Sequence, residues 1–173
     1  MPSTESWCLG GLLRQREGNH REYHMKKILV VSSGGGHWVE MTLLRPAFEG
    51  VDAVYVSVNP DYAEDVPQHR YYCVQDANRW DRWKFAILLR QLWLIVRKER
   101  PDMVISTGAA PGMFAIMMAK CLCRSRTIWV DSIANAERLS LSGQLVRPFA
   151  DAWLTQWPHL QKEGGPDYWG GVF

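Results

Sequence analysis

The run Ile28-Leu29-Val30-Val31, followed at once by Ser32-Ser33-Gly34-Gly35-Gly36-His37, constrains this chain more than any other stretch. Four consecutive apolar residues, three of them β-branched, lack the alternation of a half-exposed strand. They read as a strand buried on both faces, as in a parallel sheet. The glycines then free the backbone for a tight turn into a helical stretch from His37 to about Leu44, which ends near Pro46. The same strand-to-helix pattern recurs. Val51–Val58 reads as a second strand closed by Asn59-Pro60, residues 59–70 as loop, and Tyr71–Val74 as a short further strand. Trp80–Arg100 is the longest helical pattern, stopped by Pro101. Met103–Ser106 is a strand, Met113–Cys121 an apolar helix, Arg126–Asp131 a strand, Leu139–Arg147 a short helix and Ala152–Gln156 a last strand. A tail rich in glycine and aromatic residues, Gly164–Phe173, follows. Strands alternating with helices predict an α/β fold: a Rossmann-like, open, mostly parallel sheet with helices on both faces.

The 173 residues suffice for one domain with a core and not for two sizeable ones. Residues 25–173 are read as that domain. Residues 1–24 lack the continuous apolar core of a signal peptide and are read as a disordered extension or a wrongly assigned start, with Met25 the true one. No run reaches the roughly 18 apolar residues that span a bilayer. A net charge of +2 is too weak to argue for nucleic acid, and none is expected as a partner. Cys8, Cys73, Cys121 and Cys123 contain no C-x-x-C pair, and no Asp-x-Asp occurs, so neither metal nor cofactor is expected.

In such sheets ligands bind at the carboxyl ends of the strands, which singles out three loops. In the first, Ser33, Gly34, Gly35 and Gly36 let backbone N–H groups approach an anion at a helix N-terminus. It is neither a P-loop nor a complete G-x-G-x-x-G, and a ligand-free tight turn is the alternative. His37 sits where the helix dipole favours neutral imidazole, the form a general base needs; a helix-capping histidine is the rival reading. Glu40, three residues on, shares its face and is placed to orient His37, to hold a sugar hydroxyl, or to lie solvated at the surface. The second loop, Ser106-Thr107-Gly108-Ala109-Ala110-Pro111-Gly112, repeats this logic with hydroxyls and small residues able to hold a phosphate or sugar. The third, Asp131-Ser132-Ile133-Ala134-Asn135-Ala136-Glu137, offers Asp131, Ser132 and Asn135 to a sugar ring, or an N-cap to the next helix.

Segment 80–100 is different in kind. Phe85, Leu89, Leu92 and Val96 fall on one helical face, joined by Leu88 and Trp93, while Trp83, Ile87 and Leu94 carry apolar surface further round. With Lys84, Arg90 and Arg97 it reads as a basic amphipathic helix that lays Trp83 and Trp93 at a membrane interface. A helix that merely covers the sheet is the plainer alternative.

Three motifs together resemble bacterial PssD-type exopolysaccharide glycosyltransferase subunits: Ser33-Gly34-Gly35-Gly36-His37 with Glu40-Met41, Ser106–Gly112, and Trp129-Val130-Asp131-Ser132-Ile133-Ala134-Asn135. Those subunits are similar to the membrane-anchoring subunit of the eukaryotic enzyme that adds the second GlcNAc to dolichol-diphosphate-GlcNAc. The resemblance runs from about residue 26 to the C-terminus. It implies the N-terminal half of a GT-B glycosyltransferase such as MurG, completed by a PssE-type partner that binds most of a UDP-sugar donor. It implies a lipid-diphosphate-linked saccharide acceptor at the cytoplasmic face of the bacterial inner membrane, with glucuronosyl transfer as the reaction. It also implies His37 as base and the two small-residue loops as the acceptor cleft. The eukaryotic anchor has a membrane-spanning helix that residues 1–24 do not match, so attachment is expected to be peripheral. Two rivals stand beside this. A non-catalytic scaffold would recruit a catalytic partner to the membrane. A dinucleotide-binding oxidoreductase is disfavoured, because Ser57, Val58 and Asn59 stand where a ribose-binding acid belongs.

Overall fold

The computed structural model describes residues 26–77 and 81–172. Seven strands form one sheet: β1 (Lys27–Val31), β2 (Asp52–Ser57), β3 (Arg70–Cys73), β4 (Met103–Ser106), β5 (Arg126–Val130), β6 (Ala152–Thr155) and β7 (Asp167–Tyr168). Their order is β3-β2-β1-β4-β5-β6-β7, and every neighbouring pair is parallel. The expected Rossmann-like sheet is therefore present. β1 is central because it can be: Leu29, Val30 and Val31 have no exposed surface, which only a strand covered on both faces tolerates.

Helices α1 (Gly36–Leu43), α2 (Arg82–Glu99), α3 (Ala109–Cys123) and α4 (Leu141–Val146) complete the layers. Trp38 and Met41 of α1 pack with Val30, Tyr55, Ile105 and Ile128 on one face of the sheet. Leu88, Leu92 and Val96 of α2, Ile116 and Ala119 of α3 and Val146 of α4 pack with Leu29, Val31, Val54, Val104 and Trp129 on the other. Alternate residues of each strand thus supply two separate cores. The chain runs outward from β1 through β2 to β3, then crosses back to β4 and runs out the other way. The chain leaves β1 and β4 in opposite directions, and this switch point is where sheets of this kind bind their ligands.

Several boundaries differ from those read in the sequence. Residues 60–65, read as loop, form a 3-10 helix capped by the Asn59 side chain, which accepts from Asp61 N–H at 3.1 Å. α3 begins at Ala109 rather than Met113, since Pro111 falls in the first turn, where its missing N–H costs nothing. The tail contains β7, two residues paired with Leu154 and Thr155. Residues 1–24 and Trp80, on which the extension and the start of the long helix were placed, lie outside the described residues.

Gly112 sets how closely α3 lies on the sheet. A Cβ there would stand 1.7 Å from Ser106 Oγ and 2.7 Å from Ser106 Cβ. The hydroxyl can rotate away but the Cβ cannot. Gly112→Ala is therefore expected to lower stability by about 1–3 kcal/mol in chemical denaturation, the usual cost of overpacking. An unchanged midpoint would mean that α3 slides without penalty.

Candidate functional site

The carboxyl end of β1 is fixed before any ligand arrives. Ser32 N–H donates to Val56 O at 3.1 Å, and Ser57 Oγ donates to the carbonyl of Ser33 at 3.1 Å. Gly35 takes φ 65, a left-handed conformation that favours glycine, and caps α1. Its N–H donates to the Tyr62 hydroxyl at 2.9 Å. The Tyr62 ring stacks on Trp38 at 4.6 Å, and the Trp38 indole N–H reaches Asp65 at 2.7 Å. Tyr71 anchors the same segment through its hydroxyl on Asn59 O, and burial pushes its phenol up to about 12. Gly35 and Gly36 remain exposed, and with the Gly35 N–H taken by Tyr62 it is the helix start at Gly36 that faces outward toward an anion.

His37, in the first turn of α1, is tied to the second loop in both directions. Thr107 Oγ donates to the His37 carbonyl at 2.7 Å, and His37 Nδ1 lies 3.0 Å from Thr107 O. A carbonyl oxygen only accepts, so Nδ1 carries hydrogen in this geometry, and the lone pair of the neutral ring falls on Nε2. The imidazole packs on Gly108, where a Cβ would fall 2.5 Å from His37 Cε1. Gly108 has φ 141 and Ala109 φ 62. A left-handed alanine costs about 1–2 kcal/mol, and such strain gathers where a loop must hold one shape.

Glu40 is not a solvated surface residue: it is 1% exposed. Its Oε1 accepts from Ser132 Oγ at 2.8 Å and from Ile133 N–H at 2.9 Å. Its Oε2 has no hydrogen-bond partner among the described residues and lies 3.9 Å from His37 Nδ1.

The three loops thus meet at His37, through Thr107 and through Glu40. Other residues proposed for substrate serve the loops themselves. Ser106 is buried, and its Oγ accepts from Gly108 N–H at 3.1 Å. Asp131 is buried; Ser140 donates to it through Oγ at 2.6 Å and N–H at 2.8 Å. Ser140 in turn caps α4, accepting from Gly143 N–H at 2.8 Å. Asn135 donates its N–H to Ser132 O at 2.9 Å, and its side chain is half-buried. From the far side, Trp157 Nε1 donates to Ile133 O at 2.8 Å and His159 Nε2 lies 2.6 Å from Ala136 O. Among the described residues no group of three His, Cys, Asp or Glu side chains is placed to hold a metal.

Sequence reasoning missed Tyr62, Trp157 and His159. Tyr62 was within reach of its own rule: Asn59-Pro60 closes the strand beside β1, so the loop that follows also borders the cleft.

α2 presents the second surface. Leu88, Leu92, Ile95 and Val96 are buried, and Phe85 meets Phe114 edge-on at 5.1 Å. Trp93, expected with Trp83 at a membrane interface, lies outward, with the Arg97 guanidinium 5.0 Å from its ring. Trp83 is 82% exposed, and Ile87 and Leu94 are exposed beside Lys84, Arg90 and Arg97. No helix among the described residues is long and apolar enough to cross a membrane.

Sheet order and converging loops define a Rossmann-like domain. MurG from Acinetobacter baumannii superposes with a TM-score of 0.66 at 11% identity, over 84% of this chain and 46% of that one. The UDP-N-acetylglucosamine 2-epimerase of Rickettsia bellii gives 0.65 at 13%, over 86% and 46%. Sequence takes the matter further. The chain belongs to the family described as "Oligosaccharide biosynthesis protein Alg14 like", which matches residues 82–172. The UDP-N-acetylglucosamine transferase subunit ALG14 of Yarrowia lipolytica is 35% identical over 84 residues, 46% of this chain and 37% of that protein. The human protein of the same name is 26% identical over 168 residues, 79% of this chain and 77% of that one. The chain spans about two fifths of the length of the first fungal relatives, 37% in Yarrowia lipolytica and 42% in Eremothecium gossypii.

Proposed function

We propose that this chain is the acceptor-side subunit of a two-chain GT-B glycosyltransferase of the PssD type, working peripherally at the cytoplasmic face of a bacterial inner membrane. The observation that carries the reading is His37, held at the junction of the loops with Nδ1 on Thr107 O and with no hydrogen bond to Nε2 among the described residues. The MurG likeness over 46% of that chain supports a half-enzyme, and the names of the ALG14 relatives support a transferase subunit. A PssE-type chain completes the cleft and holds the UDP-sugar. The glycine arc receives the diphosphate of a lipid-linked saccharide, next to the helix N-terminus. His37 Nε2 takes the proton of an acceptor hydroxyl as that oxygen bonds to the anomeric carbon. The bond from that carbon to the β-phosphate oxygen breaks, and UDP departs with the electron pair. Resemblance favours glucuronate as the sugar, whereas the names of the relatives favour GlcNAc.

The test is the purified pair with a lipid-diphosphate saccharide and UDP-glucuronate or UDP-GlcNAc in separate reactions. Sugar transfer that needs both chains is expected; no transfer from either donor would remove the reading. A scaffold reading has its own support, since Ser106, Asp131 and Ser132 are all engaged within the protein.

The exposed face of α2 is proposed as the bilayer contact. Each basic residue near an anionic surface contributes on the order of 1 kcal/mol, so replacing Trp83, Trp93, Arg90 and Arg97 together is expected to weaken vesicle binding by tenfold or more, roughly. Circular dichroism should be unchanged. Wild-type protein that fails to float with anionic vesicles would rule this face out.

A further inference from the structure

We infer that Glu40 and Ser132 form a positioning relay for His37: the carboxylate, clamped by the third loop, is held as the counter-charge for the imidazolium that forms when His37 acts as base. The inference rests on the reading of His37 as base and asks how one catalytic group is served by a loop 92 residues away.

Glu40 follows His37 by three residues on α1, so the two side chains share a face. At 1% exposure its carboxylate does not reach a sugar hydroxyl, and whatever it does passes through a neighbour. Two donors fix Oε1, Ser132 Oγ at 2.8 Å and Ile133 N–H at 2.9 Å. They leave Oε2 without a hydrogen bond among the described residues, 3.9 Å from His37 Nδ1. A buried carboxylate oxygen without a partner is uncommon and calls for a reason.

The reason offered is the charge that forms next to it. Nδ1–H already faces Thr107 O, so a proton taken up in the reaction arrives at Nε2, on the opposite edge of the ring. When Nε2 takes the acceptor's proton, the ring becomes cationic a short distance from an anion that is already oriented. An interaction stronger in the transition state than in the resting complex raises kcat and leaves KM alone. Ser132 keeps the carboxylate from turning away. Its own Oγ is also fixed, accepting from Ala134 N–H at 3.3 Å.

Glu40→Gln tests this in the assembled pair, because the amide oxygen can still accept from Ser132 and Ile133 while the charge is gone. The expected result is a kcat lower by roughly 10–100-fold, with acceptor KM within about twofold and melting temperature unchanged. In a His37→Ala background the same change should have no further effect, since the relay acts only through the imidazole. Ser132→Ala should show a smaller loss of the same kind, restored by Ser132→Thr. These Ser132 variants keep the question answerable if Glu40→Gln fails to fold. A strut joining α1 to the third loop would instead lower the melting temperature and act equally with or without His37, which would overturn the relay. Full activity in Glu40→Gln beside an inactive His37→Ala would sink the relay alone. Full activity in His37→Ala would sink the base reading and the relay with it.

Discussion

His37→Ala in the reconstituted pair is expected to lower turnover by about 10²–10⁴-fold, the range a positioned general base contributes. Acceptor KM and the yield of complex should not change. The separation follows from the geometry. Nothing in the protein engages Nε2 among the contacts described, while Nδ1 is held by Thr107 O, so the ring is anchored on one edge and free on the other. The backbone of the same residue is fixed independently, its carbonyl accepting from Thr107 Oγ at 2.7 Å, and truncating the side chain leaves that bond in place. His37→Asn sharpens the measurement. Its side-chain amide can still donate toward Thr107 but supplies no base near neutral pH, so it should be as inactive as alanine. Undiminished turnover in both variants would assign the chemistry to the partner chain and leave this one as the scaffold.

A second large effect is expected far from His37, at the amino ends of the strands. Glu99, the last residue of α2, is buried with its side chain 1% exposed. Lys27 Nζ reaches its Oε2 at 3.1 Å, Arg70 Nη1 at 2.6 Å, and the Tyr72 hydroxyl donates to its Oε1 at 2.6 Å. Arg70 also bridges to Asp52 at 2.5 Å. One carboxylate thus joins β1, β3 and α2. Burial alone would raise its pKa. The hydrogen bonds from Tyr72 and Lys27 and the charges of Arg70 and Lys27 together outweigh burial and hold it below the ordinary value.

Removing one partner of a buried pair costs about 3–5 kcal/mol. Lys27 and Arg70 are partly exposed and can return to water, so Glu99→Ala is expected nearer to about 2–4 kcal/mol. The pH dependence has a definite sign. Because the folded carboxyl ionises more readily than the unfolded one, its contribution is complete above the unfolded value, about 4.3, and fades as pH falls through the folded value. Denaturation of wild type and Glu99→Gln should therefore differ at pH 7 and converge once the pH has fallen below the lowered value of the folded carboxyl. A gap that persists to the lowest pH would mean that packing, not charge, holds this corner.

The fold was legible wherever its cause was local. Ile28–Val31 had to be buried, and the glycines after it had to turn. Pro101 had to stop α2, although Glu99 is the last helical residue because Arg100 takes the left-handed cap at φ 44. What was illegible was settled by distant partners. β7 is two residues long and exists because Leu154 and Thr155 offer an edge. Its own sequence, Asp167-Tyr168, has no strand signature. In the site, His37 could be found from position alone. The burial of Glu40 could not, because Ser132 and Ile133 create it from far along the chain. Asp131 had two readings for the same reason: a polar residue at a strand end resembles a ligand-binding group whether it faces a ligand or grips the next loop, and here it accepts from Ser140.

The place of β1 also bears on how the protein is made. It lies inside the sheet and is the earliest strand among the described residues, yet one of its partners, β4, begins 72 residues after β1 ends. In an all-parallel sheet no hairpin can shelter a strand while it waits, and such distant pairings are slow to form. The most apolar strand is therefore the one that stays longest without both of its neighbours as the chain leaves the ribosome. Chaperone dependence should accordingly concentrate on nascent chains that end before Met103, and ease once β4 has emerged.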